Sequence, residues 1–243
     1  MIISQSTSAY TVKNLYDFDN QIILHQYPKM ILDHLIDEGL DYADVNVLDL
    51  GLGHGYSAQV FQNYFTNYTI LDGDKEVIDI FNKNNHGHDI SIVHTFFEDY
   101  MSKDNYDVIV AGFILEHVVD PLYILKKYKD MLSSNGKMFI AVPNAEALNR
   151  RIGFEAGLLD DIEQLSSTDI ELGHRRYYTV GTISSLCIKA GLTIKFIDGI
   201  YLKPFTTKQI LSLNLSERVI KALCKVGREY PELCLGILVG CEV

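Results

Sequence analysis

From residue 45 to residue 142 short apolar runs alternate with amphipathic segments, and this rhythm restricts the fold more than any other feature of the chain. Residues 45–50 form a continuous apolar run ending in Asp49-Leu50-Gly51, the pattern of a strand buried on both faces. Residues 56–65 then place Val60, Phe61, Tyr64 and Phe65 at helical spacing. Residues 68–71, 90–94, 106–111 and 137–142 repeat the strand pattern, and residues 75–81 and 121–132 the helical one. Asp120 and Pro121 suit an N-cap and a first helical turn, and Ser133-Ser134-Asn135-Gly136 is expected to close that helix. Buried strands alternating with helices imply a doubly wound α/β fold, a mostly parallel sheet with helices on both faces. In such sheets ligands sit at the carboxyl ends of the strands, where strand order reverses. That directs attention to residues 49–55, 72–74 and 111–117.

Beyond Val142 the rhythm changes. Residues 144–171 are polar, with acids at Asp160, Asp161 and Glu163, and read as an insertion with some helix. A helix over 179–190 ends at Gly191, a strand follows over 192–197, residues 202–231 are largely helical, and 235–241 form a last strand. The first forty residues read as a leading helical segment around 22–36. Without repeats or low-complexity linkers, residues 1–243 are expected to form one domain, with 144–178 and 202–231 as a lid over the ligand site.

Three alternating glycines follow the first strand, in Asp49-Leu50-Gly51-Leu52-Gly53-His54-Gly55. A dinucleotide fingerprint needs a small residue three positions beyond the second glycine, where this chain has Tyr56. A phosphate loop ending in Gly-Lys-Ser/Thr is absent as well. What remains is a turn that lets backbone approach a ligand closely and offers helix N–H groups to a carboxylate. Asp72, about twenty residues on at the end of the second strand, is placed to accept from ribose hydroxyls. Asp74 competes for that role but suits a helix N-cap better.

These motifs, with Phe97-Glu98-Asp99, residues 106–115, Glu116-His117-Val118-Val119-Asp120-Pro121 and Ser134-Asn135-Gly136-Lys137, resemble in order those of class I S-adenosylmethionine-dependent methyltransferases. The branch they most resemble is the ubiquinone-biosynthesis-like one, over roughly residues 45–197. The resemblance implies a Rossmann-like sheet of seven strands with the last antiparallel. It implies Asp49, Gly51, Leu52, Gly53, Gly55, Ala111, Gly112 and Phe113 around the methionine part of S-adenosylmethionine, Asp72 on the ribose, and Gly73, Phe97 and Glu98 by the adenine. The product would be S-adenosylhomocysteine.

The acceptor is less constrained. Residues 111–114 read Ala-Gly-Phe-Ile, where enzymes that methylate adenine or amide nitrogen would carry Asn-Pro-Pro-Tyr, and a net charge of -11 repels nucleic acid in the mean field. A small polar acceptor is expected, methylated on a hydroxyl or other oxygen of a sugar-like, phosphorylated or carboxylated molecule. An N-methyltransferase of a small amine and a non-catalytic binding protein are the alternatives. His174 is the preferred general base and His117 the second candidate. Arg175 and Arg176 can form a fork for an anionic group, beside Tyr178. His86 and His88 lack a third ligand, so no metal is expected. The absence of a signal-like start, of a membrane-length apolar run and of any Cys-x-x-Cys pair points to a cytoplasmic protein, monomer or homodimer, with no membrane partner.

Overall fold

The computed structural model describes residues 17–37, 39, 44–85 and 90–243; His86 and His88 lie outside them. Helix α1 spans Asp17–Asp37. Strand β1 (Asn46–Leu50), helix α2 (Tyr56–Phe61), β2 (Asn67–Asp72), α3 (Lys75–Asn84), β3 (Ser91–His94), β4 (Tyr106–Gly112), α4 (Pro121–Lys129) and β5 (Leu132–Pro143) follow. Next come α5 (Leu148–Glu155), α6 (Ser167–Glu171), α7 (Val180–Ala190), β6 (Thr193–Ile200), α8 (Thr207–Ser212), α9 (Glu217–Gly227) and β7 (Gly236–Glu242).

The strands form one seven-stranded sheet in the order β3-β2-β1-β4-β5-β7-β6. β1 to β5 are mutually parallel, and β7 is antiparallel to both β5 and β6. Order reverses between β1 and β4, which opens a crevice at their carboxyl ends. Side chains alternate across the sheet. Val47, Val108 and Val110 pack under α1, α2 and α3, whereas Leu48, Leu50, Ile109 and Ala111 pack under α4 and α7.

Local chemistry sets the ends of the helices. The Asp74 carboxylate accepts from the N–H groups of Glu76 and Val77 at the start of α3. Asp120 accepts from Tyr123 N–H with Pro121 in the first turn of α4. Thr179 and Thr182 cap α7 reciprocally, and Gly191 ends it with φ 82°.

Among the boundaries that differ from the sequence reading, three change how the chain is divided. β5 begins at Leu132, so Ser133–Gly136 belong to a strand with an irregular register against β4, and Ser133 Oγ donates to Asp107. α2 stops at Phe61, although Phe65 stays buried in a following turn, because the same apolar spacing serves a core under either backbone. The 202–231 stretch holds two separate helices, α8 and α9. No described helix is long and apolar enough to cross a membrane, and the four cysteines are free and buried.

Candidate active site

The carboxyl ends of β1, β2 and β4 open into a cavity of about 1600 Å³ that continues beneath residues 144–177 and 203–208. A pocket for a single small ligand usually holds ~300–1,000 Å³, so this chamber has room for a cofactor and a second molecule.

Gly51, Leu52 and Gly53 form one wall. Gly53 has φ +49° with open space where a Cβ would stand, so its backbone lies bare against the cavity. Asp72 organises this turn: its Oδ2 accepts Leu52 N–H at 2.8 Å and its Oδ1 accepts Asp74 N–H at 2.8 Å. Each oxygen keeps a lone pair for a ribose hydroxyl. Burial raises the Asp72 pKa against the lowering effect of these backbone bonds. Beyond it, Gly73 lies under the ring of Phe96, while Phe97 packs toward Gly51. Tyr128 Oη donates to the Phe97 carbonyl and Lys127 Nζ to that of Glu98, which fixes the loop. Phe96 lines this part of the chamber along with Phe97 and Glu98.

Gly112 and Phe113 line the chamber after β4, and Phe113 holds φ +56°, an uncommon value for a bulky residue. Its ring meets Tyr27 of α1 edge-on at 5.6 Å. Tyr27 was not foreseen either; it brings the leading helix against Phe113 and into the lining of the chamber.

Three residues expected at the cofactor lie elsewhere. Asp49 is fully buried under α1 and α2, its Oδ2 accepting from Tyr68 Oη at 2.7 Å; burial pushes its pKa up to about 6 against hydrogen bonds from Tyr68 and Ser57. Gly55 faces the ring of Phe81, where a Cβ would come within 2.6 Å, so it serves the packing of α3 and not the ligand. Ala111 points into the α4–α7 core. In each case strand parity or helix packing turns the residue away from the crevice.

At the other end the chamber is polar. Glu116, 1% exposed, and His117 come from the segment after β4, and His174 from the segment before α7. Arg175 N–H donates to Glu116 O at 2.8 Å and Arg175 Nε to His117 O at 2.9 Å, which clamps the two segments together. The His117 and His174 rings meet edge-on at 4.7 Å. His174 Nδ1 lies 3.1 Å from Asp169 Oδ1, and Asp169 also accepts from Tyr177 Oη at 2.6 Å and from Ser166. Burial pushes the Glu116 carboxyl up to about 7, opposed by His174. Burial and the neighbouring His174 drive His117 down to about 3. Burial works against a charged His174, but Asp169 and Glu116 outweigh it and raise its pKa. Asp169 is held well below the usual carboxylate range because its hydrogen bonds outweigh its burial.

Arg175 and Arg176 do not form the expected fork: Arg176 donates to Val119 O at 3.3 Å and does not line the chamber. Tyr178 is 5% exposed with Oη on Leu115 O, so it is a core residue; its neighbour Tyr177 faces the chamber instead. Arg150, likewise unforeseen, donates to Ala145, Ile162 and Gln164 carbonyls and stacks 4.4 Å over Tyr177, which ties residues 144–177 into a wall. Opposite it, Lys203 and Asp19 form a buried pair at 2.6 Å that joins α1 to the segment before α8.

Comparison with known proteins decides what this chamber holds. A methyltransferase-domain family model matches residues 23–195, most of the chain. The chain belongs to the class I S-adenosylmethionine-dependent methyltransferases. It is 24% identical over 199 residues to the ubiquinone biosynthesis O-methyltransferase of Aeromonas salmonicida (strain A449), covering 79% of this chain and 81% of the relative. The enzyme of that name from Actinobacillus pleuropneumoniae serotype 7 (strain AP76) is 24% identical over 208 residues, covering 82% of this chain and 88% of the relative. Among solved structures, magnesium protoporphyrin IX methyltransferase from Synechocystis PCC 6803 with bound S-adenosylhomocysteine superposes with a TM-score of 0.65 at 11% identity, covering 98% and 95% of the two chains. A Mesorhizobium loti S-adenosylmethionine-dependent methyltransferase gives 0.61 at 15% identity, covering 87% of this chain and 96% of its own. The cofactor of this methyltransferase is therefore S-adenosylmethionine. Its sulfonium already carries a good leaving group, so the donor itself needs no metal.

Proposed function

We propose that this methyltransferase moves the methyl group to a hydroxyl oxygen of a small polar acceptor, held at the polar end of the chamber. One observation carries the reading: Glu116, His117 and the Asp169-held His174 line the same cavity as the Gly51–Gly53 turn. The O-methyltransferase names of its relatives support oxygen as the acceptor atom.

The donor lies with its methionine end between Gly51–Gly53 and Gly112–Phe113 and its ribose on Asp72. The acceptor enters between Tyr177 and His117 and presents its hydroxyl in line with the methyl–sulfur bond. The hydroxyl gives up its proton at His174, the O–C bond forms as the C–S bond breaks, and the sulfur keeps the electron pair. Residues 144–177 and the Asp19–Lys203 bridge act as the lid that keeps water from the sulfonium.

The test is transfer of labelled methyl from S-adenosylmethionine to a panel of hydroxylated metabolites, with mass spectrometry locating the methylated atom. O-methylation that falls at least 100-fold in His174→Ala, with S-adenosylhomocysteine affinity kept, is the expected result. Methyl appearing on nitrogen, or a turnover that His174→Ala leaves unchanged, refutes the acceptor half of the reading.

A further inference from the structure

Glu116 Oε2 and His117 Nδ1 are buried polar atoms that have no hydrogen-bond partner, and both residues face the chamber. Glu116 is 1% exposed, so neither a protein donor nor bulk solvent compensates the loss of water at that oxygen. His174 completes the group: the ligand atoms of Glu116, His117 and His174 all lie within 4.8 Å of one another.

We propose that Glu116, His117 and His174 bind one divalent transition-metal ion, which takes the acceptor's hydroxyl oxygen as a further ligand. Two imidazoles and one carboxylate are a borderline donor set, matched to Zn²⁺, Mn²⁺, Fe²⁺ or Co²⁺ ahead of Ca²⁺ or Mg²⁺. Ligand atoms about 2.1 Å from a tetrahedral ion stand roughly 3.4 Å apart, so the three side chains close by ~1 Å to hold one. Three protein ligands leave a coordination position open toward the chamber, as in catalytic sites and unlike structural ones.

The surroundings are those of a metal-bound histidine. Asp169 Oδ1 lies 3.1 Å from His174 Nδ1, and the Asp169 carbonyl accepts His174 N–H at 2.8 Å, which anchors the histidine beside the group. Asp169 is in turn fixed by Ser166 and Tyr177, and the Arg175 clamp holds the segments of Glu116–His117 and His174 in one register. This inference rests on the proposed function for the position of the acceptor and departs from it in where the hydroxyl proton goes. With the ion in place His174 is a ligand, and the hydroxyl ionises on the metal at lower pH, its proton passing to water. The oxyanion then attacks the methyl carbon, and the thioether leaves with the C–S electron pair.

His86 and His88 flank Gly87 in one short loop of the sequence. The three ligands here come from two segments that meet only in the folded protein.

The experiment is titration of chelator-treated protein with Co²⁺, followed by visible absorption and calorimetry, with S-adenosylhomocysteine affinity measured on the same samples. One equivalent of Co²⁺ with a tetrahedral or five-coordinate spectrum is expected, weakened at least 10-fold in His117→Ala and in His174→Ala. Asp169→Asn, which touches no metal, is expected to weaken it 10- to 100-fold. Because Glu116→Gln alters a buried side chain, the two histidine variants carry the test. Co²⁺ uptake equal in wild type and both variants, as binding at His86 and His88 would give, overturns the proposal. So does methyl transfer at full rate by protein that takes up no Co²⁺, a result that leaves the proposed function standing. Failure of the proposed function itself shows separately, as loss of S-adenosylhomocysteine binding or of methyl transfer in metal-replete wild type.

Discussion

Removing the Asp72 carboxylate is the perturbation that the donor half of the site answers most directly. Its two oxygens each accept a backbone N–H at 2.8 Å, from Leu52 and Asp74, and Leu52 is buried. Hydrogen bonds to a charged group contribute about 1.5–3 kcal/mol each, and a buried donor left without a partner costs ~1–3 kcal/mol. Asp72→Ala is therefore expected to lose ~3 kcal/mol of stability, a fall in Tm of roughly 6–12 °C for a chain of this size. The two ribose hydroxyls lose their acceptor at the same time, worth ~3 kcal/mol or about a 100-fold rise in Kd for S-adenosylhomocysteine. Calorimetry measures the affinity and differential scanning fluorimetry the stability. A collapsed turn would also weaken binding, so the decisive measurement is a cycle with 2′-deoxy-S-adenosylhomocysteine. Wild type should bind this analogue at least 10-fold more weakly than the parent, and Asp72→Ala should scarcely distinguish the two. An undiminished deoxy penalty in the variant refutes the assignment of Asp72 to the ribose.

Asp49 supplies a pH test. Its pKa rises from 3.8 to about 6 on folding, so the fold retains a proton that the unfolded chain loses, and stability declines as pH climbs through that window by ~3 kcal/mol. Asp49→Asn keeps an oxygen for Tyr68 and is expected to raise Tm at pH 7 and leave it unchanged near pH 4; equal shifts at both pH values contradict this. Lys203→Met alone leaves the buried Asp19 carboxylate without its counter-charge, held only by the Thr207 hydroxyl, and is expected to cost ~3 kcal/mol in urea unfolding, whereas Lys203→Met with Asp19→Leu recovers most of it. Tyr178→Phe removes one hydrogen bond to Leu115 O and is expected to cost ~1 kcal/mol with kcat and KM unaltered, while Tyr177→Phe raises the acceptor KM.

The alternation of apolar runs made the sheet, its helices and the glycine turn legible, because strand burial and helix spacing are written into neighbouring residues. The caps Asp74 and Asp120 were legible for the same reason. Parity was harder. Asp49 and Ala111 belong to ligand-side motifs, but the pleat turns both into the core, and only the position of the covering helices reveals that face. Tyr177 and Tyr178 differ by one residue in a segment without periodicity, and the bond from Tyr178 to Leu115 O decides which of them faces the chamber. Glu116 was quoted within a motif and given no task, since its burial depends on the distant 169–175 segment. Lys203 acts through Asp19, far away in the chain, and Arg150 through carbonyls of the 162–164 loop, and nothing in their local sequence marks them.

The position of β7 has a consequence for how the protein comes off the ribosome. β6 touches the sheet only through β7, which is made after it and slides between β5 and β6. Until β7 arrives, the nascent chain carries two orphan edges, one on β5 and one on β6, each with unpaired peptide groups and apolar side chains. Such edges are templates for wrong pairing. The step most exposed to aggregation is thus the closing one, and a chaperone that shields the β5 edge would act at that moment.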